Sequence, residues 1–237
     1  MEIFKTILKI GAVNYWFGTP YTAEGSDVVL YNLPWSFAIT AFILIALVGY
    51  LLGSINFATF ISKLKYKDDI REHGSGNAGM TNMMRTYGTK AAALTLAGDA
   101  LKAAVAIFIG TLIMGNAGAY VAGIGSVIGH TWPLYYNFKG GKGVVTAITM
   151  ILCTKPFVGL LLLALFVAIV AATKYISLGS IMCSLIYPVF LSNSGPIGLV
   201  ELICAFGVVI LLVFNHRSNI KRLYNGQENK FAFKKSK

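Results

Sequence analysis

The chain alternates between long apolar runs and short polar segments rich in Gly, Ser, Asn and basic residues. Several runs approach the ~20 residues a helix needs to cross a ~30 Å hydrocarbon core. They predict spans at roughly 35–62, 91–113, 119–136, 144–155, 157–173, 178–193 and 198–214. The fourth is short, and Lys155-Pro156 marks the tip of a tight helical hairpin between the fourth and fifth. The expected fold is all-α, a polytopic membrane helix bundle of about seven transmembrane helices. Ahead of it, residues 1–34 read as an extracytoplasmic extension. Ile3, Phe4, Ile7, Leu8 and Gly11 recur at helical spacing and predict a short interfacial helix over 1–18, and Pro20 to Leu33 reads as a loop. Residues 35–237 form the membrane domain with a cytoplasmic tail.

Composition strengthens this reading. Hydrophobic residues make up 56% of the 237 and charged residues 12%, against about 45–50% and about 25% in soluble domains. The net charge of +11 does not point to nucleic acid, because the basic residues lie between apolar spans and not on the face of a soluble domain. Sixteen of the 20 Lys and Arg fall on one side of the expected bundle. Short cytoplasmic loops carry such an excess. That side is therefore inside, which places the N-terminus outside, the C-terminus inside, and requires an odd number of spans. Cys153, Cys183 and Cys204 all lie in apolar runs without metal-ligand spacing, so they read as packing residues.

Within the spans, Gly49 with Gly53 and Gly125 with Gly129 have the four-residue spacing that lets helices approach closely in lipid. Asp99 and Lys102 are ionisable groups inside a span, costly unless paired or solvated. Three apart, they are expected to pair with each other and face the bundle interior.

The polar segments carry the candidate chemistry. Residues Gly74 to Arg85 read GSGNAGMTNMMR. Glycines let successive backbone amides point at one anion, Ser75, Asn77, Thr81 and Asn82 add donors, and the Arg85 fork matches phosphate oxygens. Phe138-Lys139-Gly140-Gly141-Lys142-Gly143 precedes an expected helix, where amides and the helix dipole favour an anion. It is not a nucleotide P-loop, because Gly143 stands where Ser or Thr is required and no strand precedes it. Ser177 and Ser180 supply a third patch, and Asn215 to Arg222 a fourth. Gly129-His130-Thr131-Trp132-Pro133 reads equally as interfacial anchoring. No GxSxG or HExxH motif and no HxxxxD acyltransferase motif is found, and the inner face has too few carboxylates for a metal site.

At these residues the chain resembles the PlsY family of bacterial membrane acyltransferases. Three signatures match in order: GSGNxGxTNxxR at Gly74 to Arg85, GHxxP followed by FKGGKG at Gly129 to Gly143, and HRSNIKRL followed by GxE at His216 to Glu228. Ala78, Met80 and Asn215 stand where the family usually has Pro, Ala and Arg. The resemblance implies acyl transfer from acyl phosphate to glycerol 3-phosphate at the cytoplasmic face of the bacterial inner membrane, without cofactor, metal or covalent acyl-enzyme. Ser75, Arg85, His216 and Asn219 are the implied catalytic residues. Gly76, Asn77, Thr81, Asn82, Gly140, Gly141, Lys142, Gly143, Ser177 and Ser180 are expected to bind substrate, with Ser177 and Ser180 as alternatives in lining the pocket. Glu228 is structural, as are Asp99 and Lys102. The proton acceptor is either His216 or a substrate phosphate oxygen. Two rivals stand beside it: a transporter or channel for a phosphorylated small molecule, which would use the same donors and should show internal symmetry and broken midplane helices, and a lipid-binding scaffold reading anionic head groups with its basic tail alone, which leaves the glycine loops unexplained.

Overall fold

The computed structural model describes residues 19–22, 29–32 and 34–231, with side chains from residue 34 onward. Strands β1 (Thr19–Thr22) and β2 (Val29–Asn32) form an antiparallel hairpin pairing Thr19 with Asn32. A loop was expected there; Tyr21-Thr22 and Val29-Leu30-Tyr31, on either side of Gly25, are instead β-branched and aromatic enough to pair. The interfacial helix expected over 1–18 lies outside the described residues.

Nine α-helices follow among the described residues: α1 (Trp35–Gly53), α2 (Phe57–Tyr66), α3 (Met80–Tyr87), α4 (Thr89–Thr131), α5 (Val144–Thr154), α6 (Pro156–Thr173), α7 (Ile176–Ser192), α8 (Leu199–Asn215) and α9 (Arg217–Tyr224). Short 3-10 turns occupy Ile70–Glu72 and Leu134–Tyr136. Membrane-helix character is borne out, but the count of seven spans is not. Among the described residues three stretches, Trp35–Tyr66, Thr89–Tyr136 and Pro156–Thr173, are long and apolar enough to cross a membrane. A fourth qualifies only if α8 and α9, bent by 56°, count as one. An apolar run need not be a span: α5 ends close to the expected edge, but its 11 residues rise only about 17 Å, roughly half the hydrocarbon thickness. The opposite placement of the termini, read from charge, agrees with a count of three and not with a count of four.

Two breaks shape the site. The apolar run expected over 35–62 is interrupted because Asn56 caps α2, accepting from the Thr59 amide at 2.9 Å, and donates to the Ala78 carbonyl at 3.1 Å. In α4, Met114 and Gly115 leave helical geometry, and the element folds back so that Gly110 packs backbone to backbone on Gly118. The fold-back brings residue 99 level with residue 130. Glu201 of α8 accepts from Asn116 beside this turn and from its own Gly198 amide at 3.3 Å.

The paired glycine motifs meet. A Cβ at Gly49 or Gly53 would strike the backbone of Ala122 or Ser126, and one at Gly125 or Gly129 the backbone of Ala46 or Tyr50. In lipid, where no solvent drives helices together, such close van der Waals packing carries the association. A buried core around Tyr120, Met150, Leu162, Tyr187 and Val208 joins α4 through α8. The turn at Lys155 and Pro156 falls where expected, with Pro156 opening α6.

Candidate active site

The loops at one end of the helices are tied into a single surface. Arg71 is held by Asp69 at 2.7 Å and donates to the Tyr136 carbonyl at 2.8 Å, and the Ala78 amide donates to the Gly140 carbonyl at 3.4 Å. Asn82 organises the first loop from within: its Nδ2 donates to the Ile70 and His73 carbonyls and its Oδ1 accepts from the Ser75 amide at 3.1 Å. With those groups occupied, Asn82 is a scaffold for Ser75.

A cavity of about 620 Å³ opens beneath this surface. Its outer end is polar, lined by Ser75, Asn77, Thr81, Arg85, Lys142 and Gly143, then by Ser177, Ser180, His216 and Asn219. Its inner limb is apolar, walled by Ile148, Ile151, Leu162, Phe166, Tyr187 and Val208. Ser180 and Ser184 donate back to the Ile176 and Ile181 carbonyls of their own helix, so their hydroxyl protons are already engaged. Gly76, Gly140 and Gly141 are not in the lining. The Gly140 and Gly141 amides are already donated to the Thr131 and His130 carbonyls at 3.1 and 3.0 Å. These two glycines are needed for close approach, since a Cβ at either would collide with His130. Gly143 differs: its φ of +83° starts α5 and brings that helix's first turn, Val144 and Val145, to the cavity wall.

One network spans the mouth. Lys142 Nζ donates to Asn219 Oδ1 at 2.5 Å, and Asn219 Nδ2 to Glu228 Oε1 at 2.6 Å. Glu228 also accepts from Ser177 at 2.8 Å and Arg222 at 2.7 Å. Burial raises the Glu228 pKa, but donors from Asn219, Ser177 and Arg222 outweigh it and hold the carboxyl below its usual range. The expected structural role of Glu228 thus has a geometry, and the Phe231 amide, bonded to the Lys174 carbonyl at 2.6 Å, pins the same segment. Burial, with Arg222 and Arg85 nearby, lowers the Lys142 pKa to about 8 against the opposing pull of Glu228. Arg85 has no ion-pair partner among the described residues, so the mouth presents cationic charge suited to an anion. His216 is buried, and its Nδ1 lies 2.8 Å from the Leu212 carbonyl. A proton on Nδ1 donates there, leaving the Nε2 lone pair free.

Behind the cavity, Asp99 and Lys102 pair at 2.8 Å as expected, both buried. Asp99 reaches the lining and Lys102 does not. Sequence reasoning missed His130, which joins this pair, and Arg222, Asn229 and Phe231, which also line the cavity. A histidine within an apolar run, one fold-back away from two buried charges, was the available signal.

The family described as glycerol-3-phosphate acyltransferase matches residues 43–226. A glycerol-3-phosphate acyltransferase of Thermoanaerobacter pseudethanolicus is 45% identical over 195 residues, covering 81% of this chain and 96% of the relative. One from Clostridioides difficile is 42% identical over 206 residues, covering 83% and 98%. Among solved structures, the glycerol 3-phosphate form of PlsY (YgiH), an integral membrane glycerol 3-phosphate acyltransferase, superposes with a TM-score of 0.76 at 35% identity. Its lysophosphatidic acid form gives 0.74 at 34%, and both cover 81% of this chain and 96% of the other.

Proposed function

The chain belongs to the glycerol-3-phosphate acyltransferase family of bacterial multi-pass membrane proteins, and from that premise we propose how its cavity carries out the reaction. The protein transfers an acyl group from acyl phosphate to glycerol 3-phosphate, releasing lysophosphatidic acid and inorganic phosphate. The observation that carries this reading is one continuous cavity, cationic and donor-rich at the mouth and apolar within. Both a phosphate and an acyl chain have a place in it.

Arg85, Lys142, Ser75 and Thr81 hold phosphate at the mouth, assisted by the first turn of α5. The acyl chain lies along the apolar limb, where each buried CH₂ contributes about 0.8 kcal/mol. The primary hydroxyl oxygen of glycerol 3-phosphate attacks the acyl carbon, the bond from that carbon to the phosphate oxygen breaks, and phosphate leaves. The hydroxyl proton passes to His216 Nε2, or to a phosphate oxygen. Acyl phosphate carries its own leaving group, so positioning and charge stabilisation suffice. Asn219 and Ser177, fixed by Glu228, hold the far wall of the mouth. The mouth faces the cytoplasm, supported by the Lys and Arg residues gathered in the loops around it.

Purified protein in detergent, given acyl phosphate with and without glycerol 3-phosphate, is expected to release phosphate and form lysophosphatidic acid only when both are present. Binding without release would overturn this reading and favour the transporter.

A further inference from the structure

The Lys102 ammonium has three protons to donate and no capacity to accept. Three acceptors surround it: the Ile55 carbonyl at 2.7 Å, Asp99 Oδ1 at 2.8 Å and His130 Nδ1 at 3.0 Å. A proton on Nδ1 would oppose the ammonium across that 3.0 Å gap, and Asp99 Oδ1, at 3.5 Å from Nδ1, is a poorer partner. His130 is therefore neutral, with its proton on Nε2.

That nitrogen has no hydrogen bond among the described residues, although the side chain is 4% exposed and lines the cavity. A side-chain donor without a protein partner on a residue that lines the cavity is available to an acceptor on a bound molecule. Gly141 keeps the space beside it open, since a Cβ there would sit on Nε2. The next residue is Lys142, already placed at the phosphate end.

Resting on the acyltransferase reading above, we propose that His130 is a further catalytic residue, its Nε2–H donating a hydrogen bond to an anionic oxygen of the bound substrates. Asp99 and Lys102 are positioning residues that fix its tautomer. A neutral donor aimed at developing charge, and already oriented before reaction, needs no reorganisation as the tetrahedral oxyanion forms.

The test is the pair His130→Asn and His130→Gln in purified protein, read by kcat, KM for glycerol 3-phosphate, calorimetric binding and unfolding temperature. The Asn amide oxygen takes the place of Nδ1 and still accepts from Lys102, but the side chain ends short of Nε2. Gln reaches the Nε2 position and donates. His130→Asn is expected to lose at least about 100-fold in turnover, with His130→Gln recovering a substantial part. A loss in kcat at constant KM assigns the donor to the transferring acyl group. A rise in KM with weakened binding assigns it to the acceptor phosphate. Near wild-type kinetics in His130→Asn, or His130→Gln no better than His130→Asn, overturns the proposal and leaves His130 as scaffold. Should His130→Asn not fold, nitrogen-15 shifts of the wild-type imidazole decide: a protonated Nδ1 overturns the proposal, and a protonated Nε2 whose shift moves on adding glycerol 3-phosphate supports it. Inactive wild-type protein would instead sink the acyltransferase reading itself.

Discussion

Asp99 and Glu228 each anchor a polar network beside the cavity, but one is enclosed by helices and the other hangs from a folded-back tail. Asp99 pairs with Lys102 one helical turn away, and both are almost wholly buried in α4. Glu228 gathers Ser177, Asn219 and Arg222 from α7 and α9, at the open end of the cavity. Inside the helices, a lost partner leaves a charge with no water to turn to. At the mouth, solvent can replace much of the energy, and what disappears is the alignment of Asn219 and Ser177. The first network should therefore govern stability together with the placement of His130, and the second turnover with little effect on stability.

The largest effect should come from Asp99→Ala, which strands the Lys102 ammonium. A loss of about 3–5 kcal/mol is expected, seen as a large fall in unfolding temperature in detergent, and an unshifted transition would show that the pair does not hold α4. Glu228→Ala tests the other half. Turnover is expected to fall about 100-fold while stability changes by only about 1–2 kcal/mol; equal damage to both would erase the distinction between the networks.

Gly141→Ala joins the two regions, because its methyl group would press on His130 and the Ala78 carbonyl. The second loop must then shift, and KM for glycerol 3-phosphate should rise about tenfold; unchanged kinetics would show that the contact is not needed. A milder effect follows from Lys142, whose burial-depressed pKa lies at about 8. The group is cationic below that pH and neutral above it. kcat/KM for glycerol 3-phosphate should therefore decline as pH rises through about 8, and the decline should move to higher pH in Lys142→Arg, because guanidinium stays charged. A pH profile identical in the two proteins would remove Lys142 as its source.

The site was more legible in the sequence than the span arrangement was. Ser75, Arg85, Lys142, Ser177, Asn219 and His216 converge on the cavity because their segments each sit at a helix end, which local pattern reveals. Gly76, Gly140 and Gly141 do not, since whether a glycine amide is free depends on which carbonyl lies opposite. The span count failed for a related reason. The Asn56 cap divides the expected run 35–62, whose composition looks continuous, and an apolar run of 11 residues such as α5 is too short to cross, whereas the Gly115 turn falls in the gap expected between 91–113 and 119–136.

What the sequence determined by itself is the solvent, the helical class and the inventory of phosphate-binding groups, all of which depend on residue type and short-range spacing. The Asp99–Lys102 pair was equally local, three residues apart on one helix. Only the tertiary structure decided that His130 stands 3.0 Å from Lys102 across 28 residues, and that Glu228 reaches Ser177 across 51. Contacts of that separation are set by where helices turn and how closely their glycines allow them to pack, and no local pattern encodes the result.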